Sequence, residues 1–169
     1  MNTLTLLIAS AVFAIQPLGN SNIKWGLSEE ALKKSYSVNK VSDGSDHGHG
    51  YSDFTEVNPI VYVDSSSSDK KIEFYFHNGK LYKTYTIYLE QNNVESFYQQ
   101  KTKALEDDLG VATRTYSDEL FSMPIQHNVW EFENENLDLR FGAGYVYEVR
   151  TYKPVANEKI IEINLKHSI

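Results

Sequence analysis

A chain of 169 residues with a formal charge of −7 has the length of one domain, or of two small and tightly packed ones, and lacks the basic stripe that a phosphate backbone requires. Apolar residues at 41% and aromatics at 13%, led by twelve tyrosines, suffice for a core, and the same acidity argues against docking on an anionic membrane surface. The absence of cysteine excludes disulfides, thiol catalysis, thiolate metal sites and lipid attachment through a cysteine.

Leu4 to Ile15 is an apolar run too short for a bilayer core that takes about 20 residues. Small residues at Ala9-x-Ala11 and Val12-x-Ala14, then polar Gly19-Asn20-Ser21-Asn22, fit a signal peptide over residues 1–19. No Lys or Arg precedes the run, and a retained first strand or helix is the alternative. The expectation is an exported protein, periplasmic or secreted, with one α+β domain over residues 20–169 and no membrane span.

Ser28 precedes Glu29 and Glu30, where a helix N-terminus favours a side-chain cap and negative charge. A short helix ending near Tyr36 follows. From Val41 to Phe54 glycine, serine and aspartate leave no periodic apolar face, which reads as a loop. Within it Asp43, Asp46, His47, His49 and Asp53 form the one cluster with plausible metal ligands. Calcium-loop spacing is not met, and a solvated loop is the commoner reading, so neither metal nor cofactor is expected. Val57 to Val63 is a strand that Pro59 pushes toward an edge.

Lys71 to Leu89 places two runs of β-branched and aromatic residues around Asn78-Gly79. A type I′ turn needs positive φ at both central positions, which Asn and Gly tolerate best. The two-residue loop predicts the pairs His77–Lys80, Phe76–Leu81, Tyr75–Tyr82, Phe74–Lys83 and Ile72–Tyr85. By alternation Ile72, Phe74, Phe76, Leu81, Tyr85, Ile87 and Leu89 form a core face broken by Lys83. Glu73, Tyr75, His77, Lys80, Tyr82, Thr84, Thr86 and Tyr88 form a wet one. Tyrosine combines rigid apolar area with a polar tip, so Tyr75, His77, Lys80, Tyr82 and Tyr88 are the candidate binding residues for a protein or peptide partner. Cross-strand pairing under a second layer is the competing explanation for these tyrosines.

Asn92 or Asn93 caps a long helix in which Val94, Phe97, Tyr98, Leu105 and Leu109 recur at three-to-four spacing, with Gly110 past its end. Val111 to Tyr116 is a short strand and Asp118 to Pro124 a connection. Val129–Glu133 and Leu137–Phe141 form a second hairpin, with Trp130, Phe132, Leu137, Leu139 and Phe141 on one side and Glu131, Glu133, Asp138 and Arg140 on the other. Tyr145 to Tyr152 and Ile160 to Leu165 are the last strands. The fold class is α+β: an antiparallel sheet with one long and one short helix, open to division into helix-plus-sheet units at 22–90 and 91–169.

Trp25-Gly26-Leu27-Ser28-Glu29-Glu30 opening a helix, the Phe74-x-Phe76…Asn78-Gly79-x-Leu81-Tyr82 hairpin, the helix end at Leu109-Gly110 and the Trp130-centred strand together resemble a loose group of exported bacterial proteins. Their unit is similar to the helix-plus-sheet module of BamE-like outer-membrane assembly lipoproteins and of the tandem β-lactamase inhibitory protein. The chain departs from the lipoproteins in having no cysteine. The resemblance implies protein binding by a sheet face and carries over no catalytic residue.

No Gly-x-Ser-x-Gly, phosphate-binding loop or dinucleotide fingerprint occurs, and the alternating acids Glu131, Glu133 and Asp138 read as a solvated face. The expected function is therefore a non-catalytic exported binding module. The alternative is a small metal-dependent or carboxylate-based hydrolase using the Asp43–Asp53 loop.

Overall fold

The computed structural model describes residues 23–44, 59–89, 92–120 and 122–166. Its first half starts with helix α1, Glu29–Ser35, whose Ser28 side chain accepts the Ala31 N–H at 3.2 Å. Strands β1 (Asn39–Asp43), β2 (Ile60–Asp64), β3 (Lys70–His77) and β4 (Lys80–Tyr88) follow as an antiparallel meander. The second half repeats the plan. Helix α2, Val94–Leu109, is capped by Asn93 and closed by Gly110 at φ 84°. Strands β5 (Arg114–Leu120), β6 (Met123–Glu131), β7 (Glu135–Gly142) and β8 (Tyr145–Tyr152) then form a second meander. The last strands of the two meanders, β4 and β8, pair antiparallel, so all eight strands share one sheet in the order β1-β2-β3-β4-β8-β7-β6-β5. The architecture is α+β with an antiparallel sheet.

Besides strand β1, which takes in Val41 to Asp43 from the start of the expected loop, three local results differ from the sequence reading. The β3–β4 turn forms at Asn78 (φ 48°) and Gly79 (φ 70°), and the pairs His77–Lys80 and Phe76–Leu81 are as expected. A β-bulge then intervenes: Tyr75 pairs with Lys83, Phe74 with Thr84 and Ile72 with Thr86. The extra residue exchanges the faces of everything beyond it. Thr84, Thr86 and Tyr88 move to the side of Ile72 and Phe74, while Tyr85 and Ile87 join Tyr75.

A third helix, α3 (Lys153–Lys166), stands where the last strand was expected. Ile160 to Leu165 alternates apolar and polar residues like a strand, but Val155, Lys159 and Ile163 share a helical face, and Val155 and Lys159 are buried. Helix α3 packs on β3, β4 and β8 and covers a cluster of Val61, Tyr75, Tyr82, Tyr85, Ile87 and Val149. The face carrying Tyr75 and Tyr82 is thus not wet. Both rings are almost fully buried, at 0% and 2% exposure, and Lys159 donates to the Tyr82 hydroxyl at 2.9 Å.

The third difference is at the far edge. The expected connection from Asp118 to Pro124 is mostly strand, since β5 and β6 pair as far as Leu120 and Met123.

On the opposite side of the sheet α1 covers Phe74, Phe76 and Leu81, and α2 covers Trp130, Leu137, Leu139 and Val146. The segment before α1 ties the halves together. Gly26 N–H donates to Leu81 C=O at 3.0 Å, Leu81 N–H donates to Leu27 C=O at 2.9 Å, and the Trp25 indole reaches Glu135 at 3.0 Å. Burial of Tyr75 beneath α3, on the other face, predicts that Tyr75→Ala costs about 3–5 kcal/mol of stability. Urea unfolding measures it; a loss below about 1 kcal/mol contradicts the core assignment.

Candidate functional site

Among the described residues none covers the sheet between α1 and α2, and a cleft of about 430 Å³ opens there. Its apolar walls come from Ile23 and Ile72 on one side and Leu105 and Leu109 on the other. Its floor is polar because the β3–β4 bulge turns Thr84 and Thr86 to this side, directly opposite Arg150 and Glu148 of β8. Thr84 is buried, at 1% exposure, and Thr86 is half-buried.

Charges in this floor are paired end to end. Arg150, 5% exposed, donates Nε to Glu148 Oε1 at 2.7 Å and lies 3.4 Å from Glu135 Oε1 through Nη1. Tyr88 donates its hydroxyl to Glu148 Oε2 at 2.9 Å and accepts from Lys101 Nζ of α2 at 2.7 Å. Lys101 also lies 3.5 Å from Glu148 and caps the Tyr88 ring face. Burial alone would raise the Glu148 carboxyl, but Arg150, Lys101 and the hydrogen bonds from Arg150 and Tyr88 outweigh it and hold the group below the usual glutamate range. Burial first, and the neighbouring Glu148 charge second, push the Tyr88 hydroxyl far above the ordinary tyrosine value, so Tyr88 stays a neutral donor.

Chemically the cleft offers hydroxyl groups and a charge-balanced, preorganised network. Its carboxylate is held ionised between cations, so it is a poor proton donor at neutral pH. Among the residues lining it, no hydrogen-bonded nucleophile–base pair is assembled.

The candidate binding residues of the sequence reading do not come together. Tyr88 lies on the cleft floor, whereas Tyr75 and Tyr82 are buried on the opposite side of the sheet beneath α3. Lys80 is exposed at the hairpin turn and His77 is half-buried beside it. Thr84, Thr86, Glu148 and Arg150 build the floor and Lys101 meets it from α2; none of them is among the candidate binding residues of the sequence reading. One sequence signal was available: Glu148 and Arg150 share strand parity with Val146, which placed two opposite charges on a core-facing row.

Exposed tyrosines occur elsewhere. Tyr116 and Tyr145, at 40% and 45% exposure, lie on the part of the sheet's back face formed by β5 to β8. The Asp43–Asp53 loop falls largely outside the described residues, as does the leader. Among the described residues no group of three or more His, Asp or Glu could hold a metal ion, and no helix is long and apolar enough to cross a membrane.

Compared with family models, curated proteins and solved structures, the chain matches none. Its function is therefore read from the geometry of the cleft.

Breaking the network by Arg150→Met leaves Glu148 and Glu135 without their buried cation and is expected to cost about 3–5 kcal/mol. The double change Arg150→Met with Glu148→Gln recovers part of that loss. Because the Glu148 value is lowered by folding, its contribution is present above about pH 4.3, the unfolded value, and vanishes as pH falls through the folded one. Denaturation midpoints between about pH 2 and pH 7 read this out, with the Glu148→Gln protein showing the shallower acid limb.

Proposed function

We propose that this protein is a non-catalytic, exported binding module that takes a segment of a protein or peptide partner into the cleft between α1 and α2. The observation that carries the reading is the polar floor: two threonines paired in register with Arg150 and Glu148, set in a row that elsewhere on the same side holds Phe74, Leu137 and Leu139. A sheet row between two hydrophobic clusters is ordinarily filled with apolar side chains. Polar groups lining a cleft instead supply the few directional contacts that fix a ligand's orientation, here half-buried Thr86 and Lys101 with buried Thr84 beneath them, while Ile23, Ile72 and Leu105 supply contact area. A volume of about 430 Å³ accommodates a few residues of an extended peptide.

The reading is tested by selecting peptides from a displayed library on the purified protein. Thr84→Val with Thr86→Val keeps shape and β-branching while removing both hydroxyls, and is expected to weaken the selected peptides at least about tenfold. Ala104→Trp, on the exposed α2 wall, is expected to block them by filling the opening. Peptides that bind the Ala104→Trp protein unchanged place the contact elsewhere. The exposed pair Tyr116 and Tyr145 favours a second reading, in which the partner lies across the back of β5 to β8; there Tyr145→Ser, rather than Ala104→Trp, abolishes binding.

Export rests on the apolar segment Leu4 to Ile15, the small residues at Ala9-x-Ala11 and Val12-x-Ala14 within it, and the polar Gly19-Asn20-Ser21-Asn22 after it. Expression of the full chain in a Gram-negative host is expected to give a product outside the cytoplasm that has lost about 19 residues, by intact mass. A full-length cytoplasmic product refutes export.

A further inference from the structure

A second titratable cluster lies away from the cleft, at the far edge of the sheet. His127 of β6 is 4% exposed, covered by the Tyr116 ring of β5 at 4.4 Å between centroids and 8° between planes. Its Nδ1 lies 3.1 Å from both carboxylate oxygens of Asp138 on β7, and its Nε2 lies 3.1 Å from Asp118 Oδ1 on β5. A neutral imidazole carries one N–H, so its second nitrogen would present a lone pair to a carboxylate at hydrogen-bond distance. Only the imidazolium donates to both.

The surrounding charge agrees. Arg140 of β7 lies 2.7 Å from Asp138 through Nε, and Arg114 of β5 is engaged with Glu131 at 2.6 Å. With His127 protonated, two cations meet two carboxylates in the cluster of His127, Arg140, Asp118 and Asp138. Without that proton one carboxylate is in excess beside a buried ring. The neighbours of His127 on its own strand and face are the apolar Ile125 and Val129.

Strand β5 gives this cluster a mechanical meaning. It is an edge strand, exposed from Arg114 to Glu119, bonded on one side to β6. We propose that His127 is an imidazolium clasp that fastens edge strand β5 to the sheet through Asp118, and that loss of its proton loosens β5, so that this edge of the sheet responds to pH.

The direction follows from the contacts. Burial alone would pull the ring below its ordinary value, but the hydrogen bond and charge of Asp138 and the hydrogen bond of Asp118 outweigh burial and the opposing Arg140, and hold His127 above it. A raised folded value means that the clasp's contribution is complete below about pH 6.5, the unfolded value, and is lost as pH climbs through the folded one. Burial raises the Tyr116 hydroxyl, which therefore stays neutral across that window.

The test uses the full chain. Side-chain histidine nitrogen spectra from about pH 5 to about pH 9 follow the ring, and amide exchange, normalised to intrinsic rates, follows β5 over the same range. Below about pH 6.5 both nitrogens of His127 are expected in the protonated form, and the ring's midpoint is expected above that value. As the ring titrates, protection of the β5 amides should fall about tenfold relative to β7, the equivalent of one pKa unit. Asp118→Asn should move the titration down by about one unit and flatten the β5 step, while His127→Gln should remove the step altogether. A titration midpoint at or below about pH 6.5, or β5 protection indifferent to the ring's titration, overturns the clasp.

Discussion

The structure depends on one buried guanidinium. Arg150 stands on β8 at the seam between the two four-stranded halves, opposite Thr84 of the first and Leu137 of the second. Its fork engages Glu148 on its own strand and Glu135 on β7, and Glu135 in turn holds the Trp25 indole from the segment that leads into α1. Arginine suits this position because its planar fork serves two carboxylates at once and does not lose its charge on burial. A cation there would be costly alone; paired on both sides it joins helix entry, seam and second meander.

The same constraint explains why the seam is also where the cleft forms. A charged row needs its partners within reach and leaves no place for the large apolar side chains that fill the rows under α1 and α2. The helices therefore pack on the apolar clusters to either side and part over the polar row. Lys101 from α2 and Tyr88 from β4 complete the network from above and beside it. One arrangement serves both seam and cleft: the charges of Arg150, Glu148 and Lys101 are satisfied by protein, while Thr84 and Thr86 line the floor between the two apolar clusters.

The two faces of the sheet are finished differently. One has the cleft, the other is divided between α3 and an open stretch. Under α3 the tyrosines are structural: Tyr82 is bonded to Lys159, Tyr75 donates to Glu73 at 2.6 Å, and the Lys83 ammonium lies over the Tyr75 ring. Beyond α3, Tyr116, His127, Asp138 and Arg140 form a polar cluster in which the ring of Tyr116 performs the covering that an α-helix performs over the other half. Tyrosine on a strand therefore has both roles in this molecule, and what decides between them is whether a helix lies above.

Sequence alone determined the elements whose signals are local. Ser28 and Asn93 as caps, Gly110 as helix terminator, the Asn78-Gly79 turn and the apolar side of the Trp130 hairpin all follow from neighbours a few residues apart. Helix-then-strands order, written twice, was legible for the same reason. Tertiary structure decided three things. A bulge beside Leu81 is a property of pairing, invisible to alternation along one strand, and it exchanged Tyr85 and Ile87 for Thr84, Thr86 and Tyr88. The segment from Lys153 to Lys166 has a strand-like stretch at its end, and the uncovered apolar back of β3, β4 and β8 selected the helix. The cleft floor joins β4 to β8 through residues about sixty positions apart, a distance across which no periodicity speaks; only the closing of the sheet brings those charges and hydroxyls into one row.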